Sequence, residues 1–130
     1  MATVTIYLKY ENGDLYYSMD NVSFSEMNES TVTGADPGDT VKWVCSDNSI
    51  DKINNIKVNK NKSSGGNWKD IWSVKPKAQQ GSNGRIFEGV LNDTQEPVSN
   101  PAINGYDINY KTQDGTIKDK DPIIQKPRTA

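Results

Sequence analysis

Short runs of alternating apolar and polar side chains, each closed by a turn dipeptide, constrain this chain more than any other feature of its sequence. Val4, Ile6, Leu8 and Tyr10 share one face of an extended segment; Thr3, Thr5, Tyr7 and Lys9 share the other. Asn12-Gly13 follows, and because both residues tolerate positive φ the pair closes a two-residue hairpin into Leu15–Met19. Residues 20–35 are polar with isolated Val22, Phe24, Met27 and Val32, where periodicity does not choose between short strands and loop. Asp36-Pro37-Gly38-Asp39 is a turn that feeds Thr40–Cys45, with Val41, Trp43 and Cys45 on one face and Trp43 the expected centre of the core.

The second half repeats the pattern. Ile50 and Ile53 fit a short helical turn, whereas Ile56 and Val58 fit a strand. Residues 59–67 read as a polar loop. Ile71 to Val74 reads as a strand that brings Trp72 and Val74 to the core and is ended by Pro76. Lys77 to Gly84 is a further loop, Arg85 to Leu91 a strand, and 92–101 a Pro-containing connection. Tyr106, Ile108 and Tyr110 alternate with polar neighbours, Asp114-Gly115 turns the chain, and Ile123–Lys126 forms a last strand before Pro127. No segment sustains a helical period. The prediction is an all-β fold: an antiparallel β-sandwich of cupredoxin-like or Ig-like Greek-key type, with residues 1–130 as a single domain.

Composition narrows the chemistry. The chain has one cysteine and no histidine, so it forms no internal disulfide and no Ser-His-Asp or Cys-His constellation. A blue-copper centre needs two imidazoles beside a thiolate, and this sequence supplies none. Cys45 is therefore read as a small apolar residue beside Trp43. A net charge of −2 argues against nucleic acid as a partner. The lysines at 57, 60 and 62 read as a solvated loop. No apolar run is long enough for membrane insertion by a helix. No basic-then-apolar leader opens the chain, so the expectation is a cytoplasmic protein, although a removed signal or a non-classical export route leaves the same trace.

Two segments carry a resemblance. "GDTVKW" at 38–43 and "YDINYKTQDGTIKDKDPIIQKP" at 106–127 follow the order seen in cupredoxin-like sandwiches without copper ligands. They resemble the bacterial inclusion-body proteins of the PixA and AidA type. The match covers about a quarter of the chain, in motifs that are mostly turn and strand chemistry. It implies a non-enzymatic bacterial sandwich and assigns no binding residues.

Candidate sites divide three ways. Tyr7, Tyr16 and Val44 lie opposite the core-facing positions and are candidates for an interface with copies of the chain or with another protein. Lys9, Lys42 and Lys111 are expected to guard sheet edges against uncontrolled pairing. The alternative is a carbohydrate-binding module that calcium could assist, with Trp68 as a stacking platform and Asn67 and Asp70 as hydroxyl partners. Asp47 and Asp51, and Asp119 and Asp121, are weak calcium candidates, because Asp and Asn are also ordinary turn formers. No cofactor is expected. The first reading is a non-enzymatic structural protein that works by self-assembly.

Overall fold

The computed structural model describes residues 2–59 and 67–128, with the side chains of Asn59, Asn67 and Trp68 outside that description. The polar loop expected between 59 and 67 therefore lies largely outside the described residues. Among those residues every regular element is a strand: β1 (Thr3–Glu11), β2 (Asp14–Ser18), β3 (Ser25–Glu26), β4 (Val32–Gly34), β5 (Thr40–Cys45), β6 (Ile50–Asn59), β7 (Asn67–Trp68), β8 (Trp72–Ala78), β9 (Ile86–Leu91), β10 (Ala102–Thr112), β11 (Ile117–Lys120) and β12 (Ile123–Lys126). They form two sheets packed face to face. The first has the order β3-β2-β1-β5-β9-β8. The second is built on β10, the longest strand. β11 and β12 run end to end along one edge of β10 in unbroken register, β6 and β7 pair with its other edge, and β4 adds outside β12.

The sheets are mixed rather than purely antiparallel. β1 pairs parallel with β5, β4 with β12, and β7 with β10. The chain leaves the first sheet after β3, lays β4 on the second, and returns as β5. A strand reached by such a crossing is free of the antiparallel direction that a tight hairpin imposes. Tight turns still set direction where they occur: Asn12 at φ 53° and Gly13 at φ 81° join β1 to β2 antiparallel.

Two sequence expectations change for one physical reason, the β-bulge. Ile50, Ile53 and Ile56 all face inward on a single strand, not on a helical turn followed by a strand. The register of β6 against β10 slips twice, leaving Asp51 and Asn54 as extra residues, and each extra residue turns a two-residue repeat into a three-residue one. Likewise, Pro76 does not end β8, which continues to Ala78. β8 is an edge strand whose register also slips between Trp72 and Val74 and between Val74 and Lys77, so Pro76 sits in a bulge where no ladder donor is lost. The first slip puts Trp72 in the core at 6% exposure and leaves Val74 outside at 39%.

Lys9, Lys42 and Lys111 do not guard edges. They lie on β1, β5 and β10, strands with neighbours on both sides, and the first sheet's edges are β3 and β8.

The core centres on Trp43, which is fully buried. Its ring meets Tyr106 edge-on at 5.3 Å and Trp72 at 6.2 Å, and its Nε1–H donates to Tyr106 Oη at 3.2 Å. Burial pushes the Tyr106 phenol well above its ordinary range, so that oxygen stays a neutral acceptor. Trp72 Nε1–H donates to Asn104 Oδ1 at 3.1 Å, and Asn104 Nδ2 donates to the Lys69 carbonyl at 2.9 Å. Both indoles thus bury their apolar body with the N–H satisfied. Cys45 packs on the same face, and burial pushes its thiol up to about 11, the state of an unreactive core thiol.

Candidate functional site

The first sheet turns one face to the core and the other to solvent, and the solvent face gathers the expected interface residues. Parallel register sets Tyr7 of β1 beside Val44 of β5, and antiparallel register sets Val44 beside Ile86 of β9. The three make one row across the middle of the sheet, each half-buried by its neighbours. Tyr16 of β2 stands beside Lys9, whose Nζ lies 4.4 Å over the Phe24 ring. The next row carries charge: Thr5, Lys42, Glu88 and Lys77 follow one another across β1, β5, β9 and β8. An apolar row therefore runs beside a row of alternating sign. Ile86 and Phe24 were not among the sequence candidates. Ile86 was readable, since Phe87, Gly89 and Leu91 on the core side put Ile86, Glu88 and Val90 opposite them.

The segment from Asp47 to Asp51, a bend running into β6, already surrounds a cation, the Arg85 guanidinium. Its Nη1 donates to the carbonyls of Ile50 (2.7 Å) and Asp51 (3.0 Å), and its Nη2 to those of Asp47 (2.9 Å) and Cys45 (3.3 Å). The planar fork collects four backbone acceptors, from the end of β5, the bend after it and the start of β6. Asp47 Oδ1 accepts from the N–H of Ser49 at 2.9 Å, and Asp51 lies 3.8 Å from Lys111 Nζ. Asp119 accepts from Asn109 Nδ2 at 2.7 Å, and Asp121 is half-buried at the junction of β11 and β12. Among the described residues no three His, Cys, Asp or Glu side chains gather where a metal ion would bridge them.

Of the sugar-site candidates, Asn67 and Trp68 pair through their backbone with Ala102 and Ile103, and their side chains lie outside the described residues. Asp70 is exposed, and its carboxylate accepts from the Trp72 N–H at 3.1 Å, the role of a turn-forming residue.

A shallow groove of about 460 Å³ opens between the first hairpin and β11, lined by Gly13, Asp14, Tyr110, Ile117, Lys118, Asp119 and Lys120. Lys120 Nζ lies 2.6 Å from Asp14 Oδ1 and, together with a hydrogen bond from Glu26, holds the Asp14 carboxyl down at about 2. The same shared hydrogen bond, followed by the charge of Asp14, raises Glu26. The signs oppose. The Asp14 contribution to stability is present above its unfolded value and is lost as pH falls toward 2. The Glu26 contribution is present below its unfolded value and is lost as pH rises through its raised folded value. Glu26→Gln keeps a donor for Asp14 at every pH. Its melting temperature is therefore expected to exceed the parent's at pH 7, with the gap closing as pH falls below the ordinary glutamate range. Thermal scans of both proteins across that range check it.

No family model matches the sequence, and no curated protein shows detectable sequence similarity to it.

Proposed function

We propose that this protein is a non-enzymatic structural subunit that assembles with copies of itself through the solvent face of its six-stranded sheet. The observation that carries the reading is the row of Tyr7, Val44 and Ile86 beside the row of Lys42 and Glu88. Charge complementarity favours a second copy as the occupant. A two-fold axis running along the strands between β5 and β9 sets Val44 of one copy over Ile86 of the other, and Lys42 over Glu88. An isologous contact of this kind buries the apolar row and pairs the charges beside it. The resemblance of residues 38–43 and 106–127 to inclusion-forming proteins points the same way.

Light scattering behind a sizing column tests it, run once with calcium and once with chelator. The parent is expected as a multiple of the 14.4 kDa chain in both. Tyr7→Ala and Val44→Glu are expected to keep the circular dichroism of the parent and to weaken association at least about tenfold, the usual cost of truncating an interface anchor. A monomeric parent, or variants of unchanged size, would overturn the reading.

A further inference from the structure

Lys126 occupies an interior position. Ile124 and Lys126 share the core-facing side of β12, and both are fully buried. Beside Lys126 on β10 stands Ala102, and Asn104 follows on the same face; these two are also fully buried. Across the interior, Lys126 Nζ is in hydrogen-bond contact with Asn92 Oδ1. Asn92 is fixed just after β9: its N–H donates to the Ile71 carbonyl at 2.8 Å, its carbonyl accepts from Gly38 at 3.1 Å, and its Nδ2 donates to the Asp70 carbonyl at 3.2 Å. Its side-chain carbonyl is thereby turned toward the amine. Glu96 lies at the same end of the sandwich, its side chain 5% exposed and its carboxylate 2.9 Å from Lys69 Nζ. A primary amine and a carboxamide thus meet at one end of the β-sandwich, within reach of the charge of a carboxyl group and away from the proposed assembly face.

We propose that Lys126 and Asn92 join in an intramolecular isopeptide bond, an amide between Nζ and Cγ formed with release of ammonia. Burial lowers the Lys126 pKa, with the negative charge of Glu96 the next largest influence and opposed to it. Proton transfer from the Lys126 ammonium to the Glu96 carboxylate gives a neutral amine and a neutral acid, and leaves the half-exposed Lys69 ammonium, the present partner of Glu96, to solvent. The amine lone pair attacks Asn92 Cγ, and the carbonyl π pair moves to Oδ1. The Cγ–Nδ2 bond then breaks as the carbonyl reforms. The acid gives its proton to Nδ2 and takes one from Nζ, so the nitrogen leaves as ammonia and the acid is restored. No oxidant, metal or second substrate enters. The folded chain supplies every atom, and holding the amine against the amide replaces an encounter in solution.

The test is the intact mass of the full-length protein. The expected mass is lower than that of the sequence by one ammonia, about 17 Da. Tryptic digestion of the parent is expected to give residues 86–111 joined to residues 121–128 as one branched peptide, a readout that needs no variant. Lys126→Arg and Asn92→Ala are expected at the full mass of their own sequences. Glu96→Gln, which lacks the proton carrier, is expected to stay at full mass, and Glu96→Asp to recover part of the loss. An Asn-Gly succinimide at Asn12, Asn83 or Asn104 also loses ammonia, but it survives Lys126→Arg and yields no branched peptide. A parent at full mass, or a mass loss that persists in Lys126→Arg, would overturn the proposal.

Discussion

Trp43→Ala is expected to lower the stability of the protein by about 5 kcal/mol. Truncating a buried aromatic side chain costs about 3–5 kcal/mol through lost burial and the cavity left behind. A second loss adds to it, because Trp43 Nε1–H is the donor to the buried Tyr106 hydroxyl. Leaving such an oxygen without its partner costs about 1–3 kcal/mol, although the cavity admits water that recovers part of this. The sum rivals the whole stability of an ordinary domain, about 5–15 kcal/mol. Trp43→Phe separates the two terms. It keeps most of the ring contacts with Trp72 and Tyr106, removes only the donor, and is expected to cost about 2 kcal/mol. Urea titration followed by fluorescence measures both variants. Equal losses in the two would mean that the hydrogen bond, not the packing, dominates.

The second large effect is expected at Arg85, a half-buried surface residue by position. Arg85→Met removes the donor to four carbonyls where β5 passes into β6. Hydrogen bonds from a charged donor contribute about 1.5–3 kcal/mol each when fully enclosed. The guanidinium is partly open to water, which takes over some of the acceptors, so the expected loss is about 3 kcal/mol in total and about 10 °C in melting temperature. Arg85→Lys is expected to recover less than half. An ammonium reaches one or two of these oxygens, whereas the fork spans all four. Calorimetry of the two variants beside the parent gives the comparison, and full recovery by lysine would show that charge alone is what the loop needs.

How far the sequence carries this fold depends on which interaction decides each element. β1, β5 and the part of β10 from Tyr106 onward were readable because one face of each is buried and the two-residue period survives there, and β2 was readable from the Asn12-Gly13 turn before it. β6 was not, because its period is rewritten by bulges at Asp51 and Asn54, and a bulge is defined by the partner strand rather than by the bulged sequence. Pro76 misled for the same reason: its cost depends on whether a ladder donor is needed there, and on edge strand β8 none is. The outward facing of Tyr7 and of Val44 followed from alternation alone. Their adjacency needed the parallel pairing of β1 with β5, and the arrival of Ile86 beside them the antiparallel pairing of β5 with β9, neither of which a local pattern encodes. Lys126 was legible in principle, two residues after buried Ile124 on the same strand. A lysine in a closing segment nonetheless reads as solvated until its neighbours are known.

The pairing of β10 has a consequence for how the molecule is made. The second sheet's spine and its two closing strands come from residues 102–126, so the core-facing side of the first sheet has no lasting cover until the last quarter of the chain has been synthesised. Strands β4 and β6 emerge early yet must wait for β12 and β10, to which they pair across long stretches of sequence. Closing such distant contacts is slow, on the order of milliseconds to seconds for sheet-dominated domains. Assembly of this sandwich is therefore a late and largely all-or-none event, in which the final strands act as the latch that turns a half-covered sheet into a protein.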